Sequence, residues 1–264
     1  MPLLHADLTY AMRGALFNVY NALGPGLKEE YYQRAIPYAF EENGIFCEAE
    51  KSFQVCYEDE PVGQYFVDFW VEHGKAILET KVAPNLTPLH KAQTISYLKV
   101  TGSELGILAN FGSSSMEIER VPNFVSDKPT EFHWNQNPFS ENLLHPELFN
   151  LTQKALHKVY ATLGPGFIHQ IYRRATRLEL QKQELALQYL KFLPIEYHGH
   201  VLGEQAVRLI LIENKILLAI YAYQHSEEIY LQQLKTHLKK QNLKLGLLAN
   251  FHDTRLKLTP VRLK

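Results

Sequence analysis

Cysteine is nearly missing from this chain: the 264 residues contain two, Cys47 and Cys56. Two thiols cannot build a disulfide framework, and neither stands in a Cys/His spacing that holds zinc. Long apolar runs are absent too, none approaching the ~20 residues that a membrane helix needs. The opening MPLLHADLTY has no basic region followed by an apolar core. The expectation is therefore no signal peptide and a reduced, cytoplasmic setting. No glycine-rich phosphate loop and no nucleophile elbow occurs, which leaves a small-molecule hydrolase with Glu29 or Glu79 as general base without support.

Charge of either sign is not in excess: 27 Lys and Arg face 28 Asp and Glu, net −1. The balance conceals an asymmetry. Residues 1–140 hold 18 acids and 10 bases, net −8, and residues 141–264 hold 10 acids and 17 bases, net +7. Opposite charge in the two halves fits either a division of labour or simple electrostatic docking.

What the chain does have is a repeat. LGPGLKEEYYQRA, from Leu23, returns as LGPGFIHQIYRRA from Leu163, and LGILANF from Leu105 returns as LGLLANF from Leu245. Both pairs are offset by 140 residues, so landmarks about 80 residues apart keep one register. An internal duplication follows. The expected organisation is a first unit at 1–121, a linker at 122–145 rich in Pro, Asn and Ser, and a second unit at 146–264. Two units are too few for a solenoid, so the expected architecture is α/β, two tandem units packed as an intramolecular pseudo-dimer.

Within the first unit, Leu8, Met12, Ala15, Leu16, Val19 and Leu23 recur at helical spacing and a Gly-Pro-Gly ends the run. A second helix is predicted from about Lys28 to Asn43. Strand-like segments follow: SFQVCYE, QYFVDFWVE and KAILETKVA. Thr87 and Pro88 signal the start of a third helix, and two more strands close the unit. The predicted order is ααβββαββ, a mixed sheet with helices against it.

The chemistry concentrates in VDFWVEHGKAILETKV. A hairpin turning at His73-Gly74 pairs residues whose numbers sum to 147, which sets Asp68 opposite Glu79 on one face. Lys81 is two residues beyond Glu79 and shares that face. Two carboxylates and an ammonium thus meet in an otherwise apolar hairpin, where unpaired charge is costly. Either a buried Asp–Lys–Glu ion cluster or a hard divalent cation, Mg²⁺ or Mn²⁺, satisfies the pattern. On the third helix Gln93 and Tyr97 share a face, with His90 beside them.

Taken together, Asp68, Glu79-Thr80-Lys81, Gln93 and Tyr97 resemble the PD-(D/E)XK nuclease superfamily. Gly26-x-x-Glu29-x-x-Tyr32 and LTPLHKAQTISYLKVTGSELGILANF are similar to its GxxExxY protein family. The resemblance spans about residues 8–121. It implies a metal-dependent nuclease with Mg²⁺ (or Mn²⁺) as cofactor and nucleic acid, DNA before RNA, as partner. Asp68, Glu79 and Glu29 would be metal ligands. Lys81 would orient the attacking water and stabilise charge on the phosphate, with Gln93 and Tyr97 supporting the site. The family usually has Leu where Thr80 stands, a position expected to face away from the site.

The second copy carries different residues in the same register. Glu29 becomes His169, Glu79 becomes Ala219, Lys81 becomes Tyr221, and Asp68 falls on Arg208 or Leu209. Gln93 persists as Gln233, and Tyr97 becomes His237. Bases accumulate instead, and Arg173, Arg174, Arg177, Lys235, Lys239 and Lys240 are expected to bind nucleic acid for the first unit. The alternative is that the second unit only supports the fold. For the whole chain, the runner-up is an inactive nucleic-acid-binding or scaffold protein of nuclease ancestry.

Overall fold

The computed structural model describes residues 4–123, 144–223 and 227–263. The chain divides into two compact units, Met1–Pro129 and Thr130–Lys264. Most of the expected linker lies outside the described residues. Among the described residues, no helix is long and apolar enough to cross a membrane.

The first unit runs α1 (Ala6–Leu23), α2 (Glu29–Glu42), β1 (Cys47–Tyr57), β2 (Glu60–Val71), β3 (Ala76–Lys81), α3 (Pro88–Thr101), β4 (Leu105–Asn110) and β5 (Glu117–Pro122). This is the predicted ααβββαββ order. The five strands form one sheet in chain order. Only β3 and β4 are parallel, and α3 makes the crossover between them. Ala76, Leu78, Phe69, Ile107 and Ala109 send side chains into a core against α1 and α2, which contribute Met12, Leu16, Tyr32 and Ile36. Period-2 alternation therefore sends Ile77, Glu79 and Lys81 to the opposite face.

Punctuation residues act where the sequence placed them. Gly24 and Gly26 adopt φ of 73° and 81° in the loop that ends α1. Thr87 caps α3 by accepting from the His90 amide, and His90 Nδ1 accepts from the Thr87 amide in return. His90 is thus held as a helix cap. The hairpin between β2 and β3 pairs Phe69 with Leu78, Trp70 with Ile77 and Val71 with Ala76, the predicted register.

Tyr32, the last residue of the Gly-x-x-Glu-x-x-Tyr stretch, is a brace. Its hydroxyl donates to Gly24 O at 2.6 Å and accepts from Leu27 N at 3.1 Å. Its ring stacks on Phe111, centroids 4.4 Å apart. The second unit repeats this with Tyr172, bonded to Gly164 O and Phe167 N and stacked on Phe251 at 4.3 Å. The tyrosine and the glycines persist in both copies because they hold the helix-to-sheet corner.

The second unit has the same plan: α4 (Pro146–Leu163), α5 (His169–Gln181), β6 (Leu187–Tyr197), β7 (His200–Ile212), β8 (Ile216–Tyr221), α6 (Glu227–Lys240), β9 (Leu245–Asn250) and β10 (Lys257–Arg262). Its parallel pair keeps the 140-residue offset: Glu79 pairs with Leu108 as Ala219 pairs with Leu248, and Lys81 with Asn110 as Tyr221 with Asn250.

Asn110 ties the end of β3 to its own strand. Its side chain accepts from Ala83 N at 2.9 Å and donates to Ala83 O at 2.9 Å. Gly112 lies against the same segment: a Cβ there would stand 2.4 Å from Ala83 N and 2.6 Å from Ala83 O. Since the obstacle is backbone, Gly112→Ala is expected to cost about 3 kcal/mol of first-unit stability. Urea denaturation of the full chain measures it, and a loss within a few tenths of a kcal/mol would mean that the segment gives way freely.

Candidate functional site

The site lies where β2 and β3 part. Their ladder ends at Phe69 and Leu78, so Asp68 and Glu79 stand one step beyond the last paired residues. There the Asp68 side chain takes over from the ladder. Its Oδ2 accepts from Thr80 N and from Thr80 Oγ1, each at 2.7 Å. On α2, Gln33 Nε2 donates to Thr80 Oγ1 at 3.0 Å and to Glu29 Oε1 at 3.2 Å. A continuous chain, Glu29–Gln33–Thr80–Asp68, thereby fixes two carboxylates on different elements.

Thr80 projects from the face opposite Glu79 and Lys81, as expected, but its amide and hydroxyl both donate to Asp68, a contact that the sequence reading did not foresee. Gln33 was missed altogether. Its signal was there, one helical turn after Glu29 on the same face, but nothing local indicates that its other contact is Thr80, 47 positions away.

Glu79 is almost fully enclosed, 1% exposed. Its Oε2 sits 3.7 Å from Lys81 Nζ, an ion-pair distance too long for a good hydrogen bond. Its Oε1 has no hydrogen-bond partner. Burial, and then the Asp68 charge, push its carboxyl well above the usual range, while Lys81 pulls it down. Glu29 is half-buried and is also raised, first by burial; Lys81 and the Val82 amide act against this and Asp68 with it. Asp68, Glu79, Glu29 and Lys81 therefore share one electrostatic site.

The α3 residues are placed less tightly. Gln93 is half-buried on α3. Tyr97 is buried and stacks on Tyr65 of β2, centroids 4.1 Å apart. The Tyr65 hydroxyl is pushed up by burial first and then by the Glu79 charge, which puts this aromatic pair beside the carboxylates.

The residues fit a cation of a particular kind. Among the described residues, no three carboxylate, imidazole or thiol side chains gather closely enough to hold a metal by themselves. Mg²⁺ keeps several waters and takes one or two carboxylates directly. A buried Glu79 oxygen without a partner, next to an oriented Asp68, provides such a set, and the Glu29 charge is felt at Glu79.

In the second unit none of these acids remains. β7 carries one residue more than β2: Phe66 and Phe69 pair with Ser52 and Ala49, whereas Ala206 and Ile210 pair with Phe192 and Tyr189. Leu209 is in line with Asp68 and is buried with Ala219 in an apolar cluster. Arg208, at φ 53°, is the bulged residue. The six predicted nucleic-acid-binding residues separate. Arg173, Arg174 and Arg177 line one cavity together with Arg208. Lys235 lines another cavity, Lys239 is exposed, and Lys240 donates to Pro194 O at 2.9 Å.

A family model described as the PD-(D/E)XK nuclease superfamily matches residues 6–121 and, separately, residues 146–263. No curated protein sequence matches the chain. A solved structure described as "Crystal structure of SSO0001" aligns over 46% of this chain and 79% of its own length, at 14% identity and a TM-score of 0.25.

Proposed function

Because the chain belongs to the PD-(D/E)XK nuclease superfamily, its two units each matching the family model, we propose that it is a metal-dependent nuclease whose working site is in the first unit. DNA is the preferred substrate. The Gly26-x-x-Glu29-x-x-Tyr32 stretch supports its placement within the GxxExxY family.

The observation that carries this reading is the Glu79 carboxylate. A buried carboxylate with one oxygen lacking a partner, facing Asp68, bonded by the Asp68 amide and 3.7 Å from Lys81, costs free energy unless a proton or a cation neutralises it. Asp68 and Glu79 would hold Mg²⁺ or Mn²⁺, with Glu29 ligating or holding one of its waters. When bound, the metal supplies a hydroxide near neutral pH and positive charge at the phosphate.

The chain's own residues do the rest. Thr80 and Gln33 keep Asp68 and Glu29 in one orientation, so little reorganisation is needed when substrate arrives. Lys81, a fifth exposed, reaches from the buried carboxylate toward solvent. It can donate to a phosphate oxygen and to the water that attacks phosphorus. The P–O ester bond breaks, the water oxygen replaces it, and the proton passes to solvent or to the leaving oxygen.

The test is direct. Labelled single-stranded DNA, duplex DNA and RNA are each incubated with Mg²⁺, Mn²⁺ or EDTA, using the wild type and Asp68→Asn. Cleavage that requires metal and falls by about 10²-fold or more in the variant is expected. Cleavage that persists in EDTA, or is untouched by the substitution, would refute the assignment.

A further inference from the structure

We infer that the second unit's cleft, at the place where the first unit holds its carboxylates, is a pocket for a phosphoryl group and its attached base, supplied by single-stranded nucleic acid. The inference rests on the nuclease reading for the identity of the strand but not for the existence of the pocket.

The register shows what changed. Gln33 of the first unit corresponds to Arg173, Glu29 to His169 and Lys81 to Tyr221, and the bulge in β7 adds Arg208. Three of these changes remove negative charge or add positive charge, and the fourth exchanges the Lys81 ammonium for the Tyr221 ring. The resulting cavity, about 330 Å³, is lined by His169, Arg173, Arg208, Tyr221, Tyr223 and Tyr230 among others. It adjoins the cavity that Arg174 and Arg177 share with Arg173 and Arg208.

Arg173 is only 7% exposed. Its neighbours are Tyr189, which bonds it, and Arg208, which repels it. No carboxylate pairs with Arg173 or Arg208 among the described residues. Two guanidinium groups held together without an acid are costly in the free protein and become favourable around an anion. His169 is lowered by burial, then by the charges of Arg173 and Arg208, so it stands neutral beside them. Its Nδ1 is 3.1 Å from the Tyr223 hydroxyl. This is the reverse of the first unit, where the unpaired group at the same place is an anion.

The rings specify more than an anion. Tyr221 stacks on Tyr230 at 4.0 Å, and Tyr230 is nearly parallel to Tyr223 at 5.6 Å. Tyr223 is 40% exposed. Aromatic faces beside guanidinium groups suit a base stacked next to its phosphate, and a base is free to stack only outside a duplex. Tyr221 and Tyr230 already cover one face of each other, so the exposed Tyr223 is the ring that offers a base a free surface.

The experiment uses the full chain in EDTA, with a fluorescent single strand of about 12 nucleotides read by anisotropy. Arg173→Gln and Arg208→Gln are each expected to weaken binding about tenfold or more, with Arg208→Lys recovering part of it. Tyr221→Leu weakens it and Tyr221→Phe does not. Thymidine monophosphate competes for the strand. Melting curves that match the wild type show that the variants are folded. Variants that bind the strand like the wild type overturn the pocket. If calorimetry finds thymidine monophosphate bound through these residues while strand affinity is unaffected, the pocket belongs to a free nucleotide and the strand assignment falls. Parallel reactions with Mg²⁺ separate the two readings. A wild type that binds through the arginines yet never cleaves sinks the nuclease and keeps the pocket. A protein that cleaves equally well with and without the arginines sinks the pocket and keeps the nuclease.

Discussion

Lys81→Ala is expected to lower metal-dependent cleavage by about 10²- to 10³-fold, the loss that follows removal of one well-placed charge or donor at the developing charge. Two contributions add. The ammonium no longer meets the phosphate, and it no longer offsets the burial of Glu79 and Glu29, both of which it pulls down. The second contribution has a signature of its own. In the variant the carboxylates ionise less readily, so the rising limb of the pH–rate profile moves to higher pH. Lys81→Arg retains charge and is expected to keep that limb near its wild-type position while losing rate through altered geometry. Since Lys81 is at the end of β3 with its side chain partly in solvent, folding should survive the change, and circular dichroism checks this. Cleavage within about threefold of wild type would remove Lys81 from the machinery.

Glu79→Gln is expected to separate activity from stability. Cleavage is lost along with a ligand of the metal. In EDTA at pH 8, however, the first unit becomes more stable, by on the order of 1–2 kcal/mol, because a buried charge with an unpaired oxygen has been neutralised. The direction follows from linkage. The Glu79 carboxyl is raised in the folded state, by burial first and by Asp68 second. A group raised on folding favours the folded state fully below its ordinary range, and that contribution is lost as pH rises through the folded value. Glu29 is raised as well and acts in the same direction. Metal-free wild type should therefore lose first-unit stability as the pH rises above about 4.5, and the variant should lose less. Mg²⁺ should recover stability in the wild type at pH 8 and little in Glu79→Gln. Chemical denaturation at both pH values, with EDTA or Mg²⁺, supplies the comparison. A variant that is less stable than wild type at pH 8 in EDTA would mean that Glu79 is satisfied by groups other than a cation.

The hairpin shows how far strand arithmetic reaches. Its register was legible because a turn at His73-Gly74 and period-2 alternation leave one pairing that buries Phe69, Val71, Ala76 and Leu78 together. Thr80 shows where it stops. Alternation gives the face from which a side chain leaves the strand, but not that the ladder ends one residue earlier and frees a backbone amide for Asp68. The bulge at Arg208 was likewise only bracketed by the sequence, since a gap of one residue can be placed in two positions until strand pairing chooses between them.

The sequence by itself determined the duplication, the order of elements, the recurrence of the tyrosine at 32 and 172, and the loss of the acids from the second copy. All of these are written in local period, punctuation and a constant offset. Only the tertiary structure decided which groups meet. Gln33 bridges Glu29 and Thr80 across 47 residues, Glu79 keeps an oxygen without a partner, and Arg173 comes beside Arg208 from a different element. Such contacts depend on how helices lie on a twisted sheet, and on which polar groups packing leaves unsatisfied. Those are properties of the assembled core, and no stretch of chain contains them alone.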